Sequence, residues 1–176
     1  MQQTKYIVFP ICDSNHWTSA IFTNFNSLIV KLNLLFKNGE FVRDDLLKSY
    51  VFNKDNPELN ELFSNDGDDQ QKPMLVYLDS LSINSRDVVN HMIIVLICQF
   101  LIHEQGMTKK NSELLFKKLK NKDSKLLSLL KNLFKIEYPL LPNQKDDYNC
   151  GVFLIAYLEV FMYNPDKFIR FLVRYY

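Results

Sequence analysis

The feature that most restricts the fold is the passage from a polar loop, Pro142 to Asn149, straight into an apolar run that opens Cys150-Gly-Val-Phe-Leu-Ile-Ala-Tyr-Leu158. A helix this apolar is stable only when packed into a core, so the chain must also supply a layer to receive it. Its first residue is a cysteine. A thiol in the first turn of a helix sits at the positive end of the helix dipole, where its pKa falls below the free value of about 8.5 and a thiolate forms near neutral pH. The same position also suits a packed core thiol, so the chemistry depends on what else the chain brings to Cys150.

The receiving layer reads as a sheet. Lys5 to Cys12 is a β-branched and aromatic run with Pro10 near its exit, and Asp13-Ser-Asn15 is a turn by composition. His16-Trp-Thr-Ser-Ala-Ile-Phe-Thr23 is then the antiparallel partner strand, opening on a histidine. Met74-Leu-Val-Tyr-Leu-Asp79 is a buried strand that ends on a carboxylate. Asn84 or Ser85 caps a long apolar helix that runs to about Gln105, with Gly106 as its stop. The apolar run inside it, from Met92 to Ile102 and flanked by His91 and His103, is broken by Gln99. It falls short of the roughly 18 uninterrupted apolar residues of a membrane span, so a core helix is expected and no membrane partner.

Between these elements the pattern is looser. Ser27 to Phe36 satisfies both strand and helix periods, and Phe41 to Phe52 reads as helical. From Asn53 to Lys72 the chain carries six acids against two lysines, and 66–71 is expected to be a mobile acidic loop. Residues 108–135 hold nine lysines and leucines spaced three and four apart, the pattern of one or two amphipathic surface helices. Ile136 to Tyr138 reads as a short strand. The Cys150 helix is expected to end near Tyr163, and Asn164-Pro165 to start a last helix over Asp166 to Tyr175. The whole is an α+β chain of 176 residues, expected to form one domain and a monomer.

Charge and cysteine usage exclude several functions. With 21 basic and 20 acidic residues, a net charge of +1 gives no electrostatic footprint for nucleic acid. Cys12, Cys98 and Cys150 are odd in number and widely spaced, which fits neither a disulfide framework nor a paired zinc pattern and points to a reducing compartment. Cys12 and Cys98 lie in apolar runs and are expected in the core. His91 and His103 have no nearby thiol pair, so no metal or cofactor is expected.

Four residues at element boundaries remain, in the order His16, Asp79, Gln144, Cys150. Cysteine-type acyl transfer needs a thiolate, an imidazole that shares its proton, and a third group that holds the imidazole's tautomer. It also needs a donor for the oxyanion, for which a glutamine amide with the cysteine's own N–H suffices. Each residue has a plainer reading: a packing histidine, a capping aspartate, a solvated glutamine, a core thiol.

Three motifs decide between the readings. His16-Trp17 after Pro10-Ile11, Tyr77-Leu-Asp79-Ser-Leu81, and Gln144 six positions before Cys150-Gly151 together resemble the ubiquitin-like protease family. These are the SUMO-specific cysteine proteases, distant relatives of the adenovirus protease and of papain, and the resemblance spans about residues 5–162. It implies a papain-like, adenain-like fold with a central mixed sheet flanked by helices. It implies His16 as general base, Asp79 as its orienting partner, Cys150 as nucleophile and Gln144 as oxyanion donor. It further implies that Trp17 lids a tunnel narrow enough to pass only a diglycine tail, where the plainer reading is a core tryptophan on a strand. SUMO or another ubiquitin-like protein is then the partner, and a nuclear or nucleocytoplasmic placement follows from the family alone.

The departures are specific. Asn149 stands where the family usually has an aspartate before the cysteine. His16 and Asp79 are 63 positions apart, so 24–73 is read as an insertion. The chain starts just before the His16 strand, whereas the family has an upstream helix and second tryptophan, so a catalytic domain lacking that segment is expected. Three other functions fit the pattern less fully. One is the same chemistry on another modifier. The others are a Yop-type acetyltransferase and a non-catalytic module that binds a ubiquitin-like protein.

Overall fold

The computed structural model describes residues 5–37, 72–83, 85–104, 106–120, 127 and 130–174. Along the chain come β1 (Tyr6–Asp13), β2 (His16–Thr23), α1 (Phe25–Lys37), β3 (Met74–Leu78), α2 (Arg86–Glu104), α3 (Lys109–Leu119), β4 (Lys135–Glu137), α4 (Cys150–Tyr163) and α5 (Pro165–Arg174). They fall into two compact units: Met1–Thr23, Met74–Val89 and Ile136–Tyr176 in one, Asn24–Pro73 and Asn90–Lys135 in the other. The expected helix from Phe41 to Phe52 and the acidic loop at 66–71 lie outside the described residues.

The first unit is built on a hairpin. Ser14 and Asn15 both have positive φ, 50° and 64°, the combination that a two-residue turn needs to match the twist of its strands. It pairs Asp13 with His16 and sets the register from there to Tyr6 with Thr23. β3 pairs antiparallel to β2 from Ser19–Leu78 to Thr23–Met74, so His16 lies beyond the last paired residue, at the sheet end where β3 delivers Asp79. The strand order is β1-β2-β3-β4. Lys135 donates its N–H to Pro73 C=O and the Tyr138 ring meets Tyr77; β4 therefore runs in the direction of β3, and the sheet is mixed as expected.

Helix α4 buries Cys150, Leu154, Tyr157 and Phe161, spaced four, three and four apart. Tyr157 and Phe161 of that stripe join Ile21, Val76 and Leu78 of the sheet with Ile169 and Leu172 of α5 in one cluster. Tyr6 meets Phe161 edge-on, and Phe161 meets Phe168 in the same way. The opposite face, with Val152, Ile155 and Met162, is exposed; an apolar helix is here covered on one side. Asn164 starts α5 by accepting the Lys167 N–H on its side chain and the Phe168 N–H on its carbonyl, at 3.0 and 2.9 Å.

Cys12 departs from expectation: it is exposed, not in the core. It lies two residues before the hairpin turn on edge strand β1, whose last residues are uncovered, so an apolar run in sequence does not become a buried one. In the same unit Ser85 caps α2 through its hydroxyl, which accepts the Val88 N–H at 3.3 Å.

In the second unit the ambiguous segment after β2 is helix α1, entered through Asn24 at φ 54° and burying Leu28 and Leu32 one turn apart. Helix α2 is long and apolar enough by composition to cross a membrane; here Ile93, Ile94, Ile97 and Leu101 are core residues. His91 stacks on Phe116 of α3, and the buried Cys98 thiol points to Ser112 C=O. Gly106 follows the helix at φ 65°, a left-handed position that glycine takes without steric cost.

Candidate active site

Two strand ends bring the imidazole and the carboxylate together. His16 Nε2 lies 2.7 Å from Asp79 Oδ1, with the carboxylate 2% exposed. Asp79 is held by the turn it begins: Oδ1 also accepts the Leu81 N–H at 2.9 Å, and Oδ2 the Ile83 N–H at 3.0 Å. Ser82, at φ 54°, closes that turn by donating its N–H to Asp79 C=O. Buried carboxylates require such donors, and here one of the three is a histidine.

The other face of the imidazole meets the thiol. His16 is hydrogen-bonded to Cys150, and because Nε2 is engaged by Asp79, Nδ1 is the atom that faces sulfur. Burial pulls the His16 pKa down, but the hydrogen bonds to Asp79 and Cys150 and the charges they carry outweigh it, so the net shift is upward. Cys150 shifts the opposite way. The main-chain N–H of Trp17 donates to its sulfur and, with His16 and the Gly151 N–H, overcomes the cost of burial and lowers the thiol pKa. Both shifts favour the charged forms, thiolate on Cys150 and imidazolium on His16.

Trp17 is not a core tryptophan. The residue is 43% exposed, and its Cδ1 lies 3.8 Å from where a Cβ on Gly151 would stand. The indole thus borders the thiol's own helix turn, with a residue lacking a side chain beneath it.

Gln144 is 7% exposed rather than solvated. Its Oε1 accepts the Ser80 hydroxyl at 2.6 Å, its Nε2 donates to Asp146 C=O at 2.5 Å, and its N–H donates to Ser80 C=O at 3.1 Å. Asp146 braces the loop in turn: Oδ1 accepts the N–H groups of Tyr148 and Asn149, and Oδ2 the Asn149 side-chain amide at 2.6 Å. Desolvation opposes ionisation of Asp146, but those three bonds prevail and lower its pKa. Asn149, at the N-cap of α4, makes no side-chain cap; its amide is spent on Asp146. The structure therefore pairs His16 with Asp79, sets the Cys150 thiol within interaction range of His16, and ties Gln144 to Ser80 and Asp146.

The family model described as "Ulp1 protease family, C-terminal catalytic domain" matches residues 1–171. The chain belongs to the Ulp1 protease family. It is accordingly a cysteine protease of papain-like fold, from a family that acts on ubiquitin-like proteins. No curated protein and no solved structure matches the chain. For this Ulp1-family protease, sequence reasoning missed Ser80, Asp146 and the Trp17 N–H. Ser80 lies within the Tyr77–Leu81 motif but is given no role by it, Asp146 sits inside the polar loop from Pro142 to Asn149, and the third is a backbone group that no motif records.

Proposed function

We propose that this Ulp1-family protease is a thiol isopeptidase that cleaves after the C-terminal Gly-Gly of SUMO, releasing the modifier from lysines or from its precursor. The observation that carries the chemistry is the His16 ring between Asp79, at 2.7 Å, and the Cys150 thiol. The Cys150 thiolate attacks the terminal glycine carbonyl carbon. The oxyanion is taken up by the Gln144 amide and the Cys150 N–H, one of the helix-start donors that lack an intrahelical acceptor. The imidazolium gives its Nδ1 proton to the departing lysine nitrogen as the C–N bond breaks, leaving a thioester on Cys150. Water then attacks the thioester, its proton returns to Nδ1, and the thiolate is expelled.

The choice of a diglycine tail rests on Trp17 beside Gly151. An indole set against a residue without a side chain suits a substrate tail that also lacks side chains and disfavours an acetyl donor. The test is to incubate the chain with SUMO, ubiquitin and other modifiers carrying a C-terminal vinyl sulfone. An adduct with SUMO, lost in Cys150→Ala and His16→Ala, is the expected result. An adduct with another modifier alone reassigns the substrate, and SUMO binding without any adduct makes the chain a binding module.

A further inference from the structure

We propose that Ser80 is a positioning residue that orients the Gln144 amide toward the reacting carbonyl. The inference rests on the reading of Gln144 as oxyanion donor. A primary amide has nearly the same shape in its two flipped orientations, so hydrogen bonds must choose between them. Asp146 C=O can only accept, and it draws Nε2 to its side at 2.5 Å. The Ser80 hydroxyl donates to Oε1 at 2.6 Å on the other side. Two anchors on one planar group set its plane, and hence the direction of the second Nε2–H, the one left for an oxyanion. With only the Asp146 anchor the amide pivots about that single bond. A hydroxyl donating to Oε1 also polarises the amide and strengthens its N–H groups as donors.

Ser80 is placed for this by the residue before it. Asp79 begins the turn that points its own carboxylate at His16, and the next side chain, almost fully buried, falls on Gln144. The main chain is tied independently, since Gln144 N–H donates to Ser80 C=O at 3.1 Å. Removing the Ser80 hydroxyl therefore leaves the loop attached and frees only the amide.

The experiment measures turnover of SUMO carrying a C-terminal aminomethylcoumarin by wild type, Ser80→Ala, Ser80→Thr, Gln144→Ala and the double variant Ser80→Ala with Gln144→Ala. Losing an oxyanion donor outright costs about 100- to 1,000-fold in kcat; loosening it in Ser80→Ala is expected to cost about 10-fold, with KM within twofold. Ser80→Thr, which keeps the hydroxyl, restores kcat. In the Gln144→Ala background Ser80→Ala costs nothing further, and its iodoacetamide alkylation profile against pH overlays wild type, because thiol and imidazole are untouched. Full kcat in Ser80→Ala while Gln144→Ala is crippled overturns the role of Ser80 alone, as does a loss that persists in the double variant or a displaced alkylation profile. Full kcat in Gln144→Ala overturns the donor reading and this inference with it. If wild type does not turn over the SUMO substrate, the side-chain amide resonances of Gln144 decide. Protons protected from exchange in wild type and exposed in Ser80→Ala support the inference, and equal protection overturns it.

Discussion

Asp79→Asn separates what the carboxylate does from the space it fills. Three donors converge on Asp79: His16 Nε2 and the Leu81 N–H on Oδ1, and the Ile83 N–H on Oδ2. Asparagine offers one oxygen. With that oxygen at the Oδ1 position, the new NH2 faces the Ile83 N–H, a buried donor that loses its acceptor at about 1–3 kcal/mol. The two surviving bonds lose their charge assistance, about 1 kcal/mol each. With the amide reversed, the NH2 faces the imidazole and stabilises the tautomer with its proton on Nδ1, which cannot accept a proton from the thiol. Either way the loss of folding stability is on the order of 3 kcal/mol at pH 6. Because the folded His16 pKa is raised, the stability it contributes is fully present below its unfolded value, about 6.5, and is lost as pH rises through the folded value. The penalty of Asp79→Asn should therefore shrink between pH 6 and pH 8. Urea unfolding at a series of pH values, with the m-value unchanged, measures it. Iodoacetamide alkylation of Cys150 should rise at higher pH than in wild type, toward the ordinary thiol value of about 8.5, since a neutral His16 no longer stabilises the thiolate. A stability change under about 0.5 kcal/mol, or an unmoved alkylation limb, would refute the assignment of Asp79 as the group that holds His16.

Three further substitutions probe the frame. Tyr157→Phe removes the 2.6 Å bond to Pro142 C=O and should cost about 1 kcal/mol by thermal or urea unfolding. Burial, with the charge of Asp79, pushes the Tyr157 pKa up to about 12; wild-type stability from this group holds below pH 10 and is lost as pH climbs toward 12, and that alkaline loss should be absent in Tyr157→Phe. Lys5→Ala breaks a 2.6 Å ion pair to Asp166 between side chains 55% and 48% exposed, so urea unfolding should register a change of at most about 0.5 kcal/mol. Gly151→Ala places a Cβ at ordinary contact from Trp17 Cδ1 inside a helix, and should raise stability by about 0.5–1 kcal/mol in thermal unfolding with the alkylation rate unchanged.

What could be read from the chain was what local chemistry decides. The hairpin follows from two β-branched runs around a short polar turn, and its register places His16 without further information. Ser85, Gly106 and Asn164 act where capping and stop signals placed them. The meeting of His16 with Asp79 across 63 positions was legible only through the family motifs, because no local rule joins residues that far apart. Cys12 shows the limit of reading burial from apolar runs: strand order decides which strand is an edge, and that order is a property of the whole sheet. Gln144 shows the converse. A glutamine in a polar loop reads as solvated, yet it is buried because Ser80 and Asp146 supply the partners that burial demands.

Both halves of the site hang from one turn. The Asp79 side chain orients His16 at one end, and the neighbouring Ser80 side chain grips Gln144 at the other. Asp79 and Ser80, the two residues that follow β3, do this without any added element. His16 and Gln144 are thereby held by side chains of two consecutive residues, while Cys150 follows a loop braced by Asp146 and Asn149. A substitution that shifts the Asp79 turn as a body should move His16 and Gln144 together and lose more activity than Ser80→Ala or Gln144→Ala alone. A substitution in the 146–149 brace should instead displace the thiol from His16. Alkylation separates Gln144 from both: loss of its amide leaves thiol reactivity unchanged, whereas moving His16 or the brace alters it.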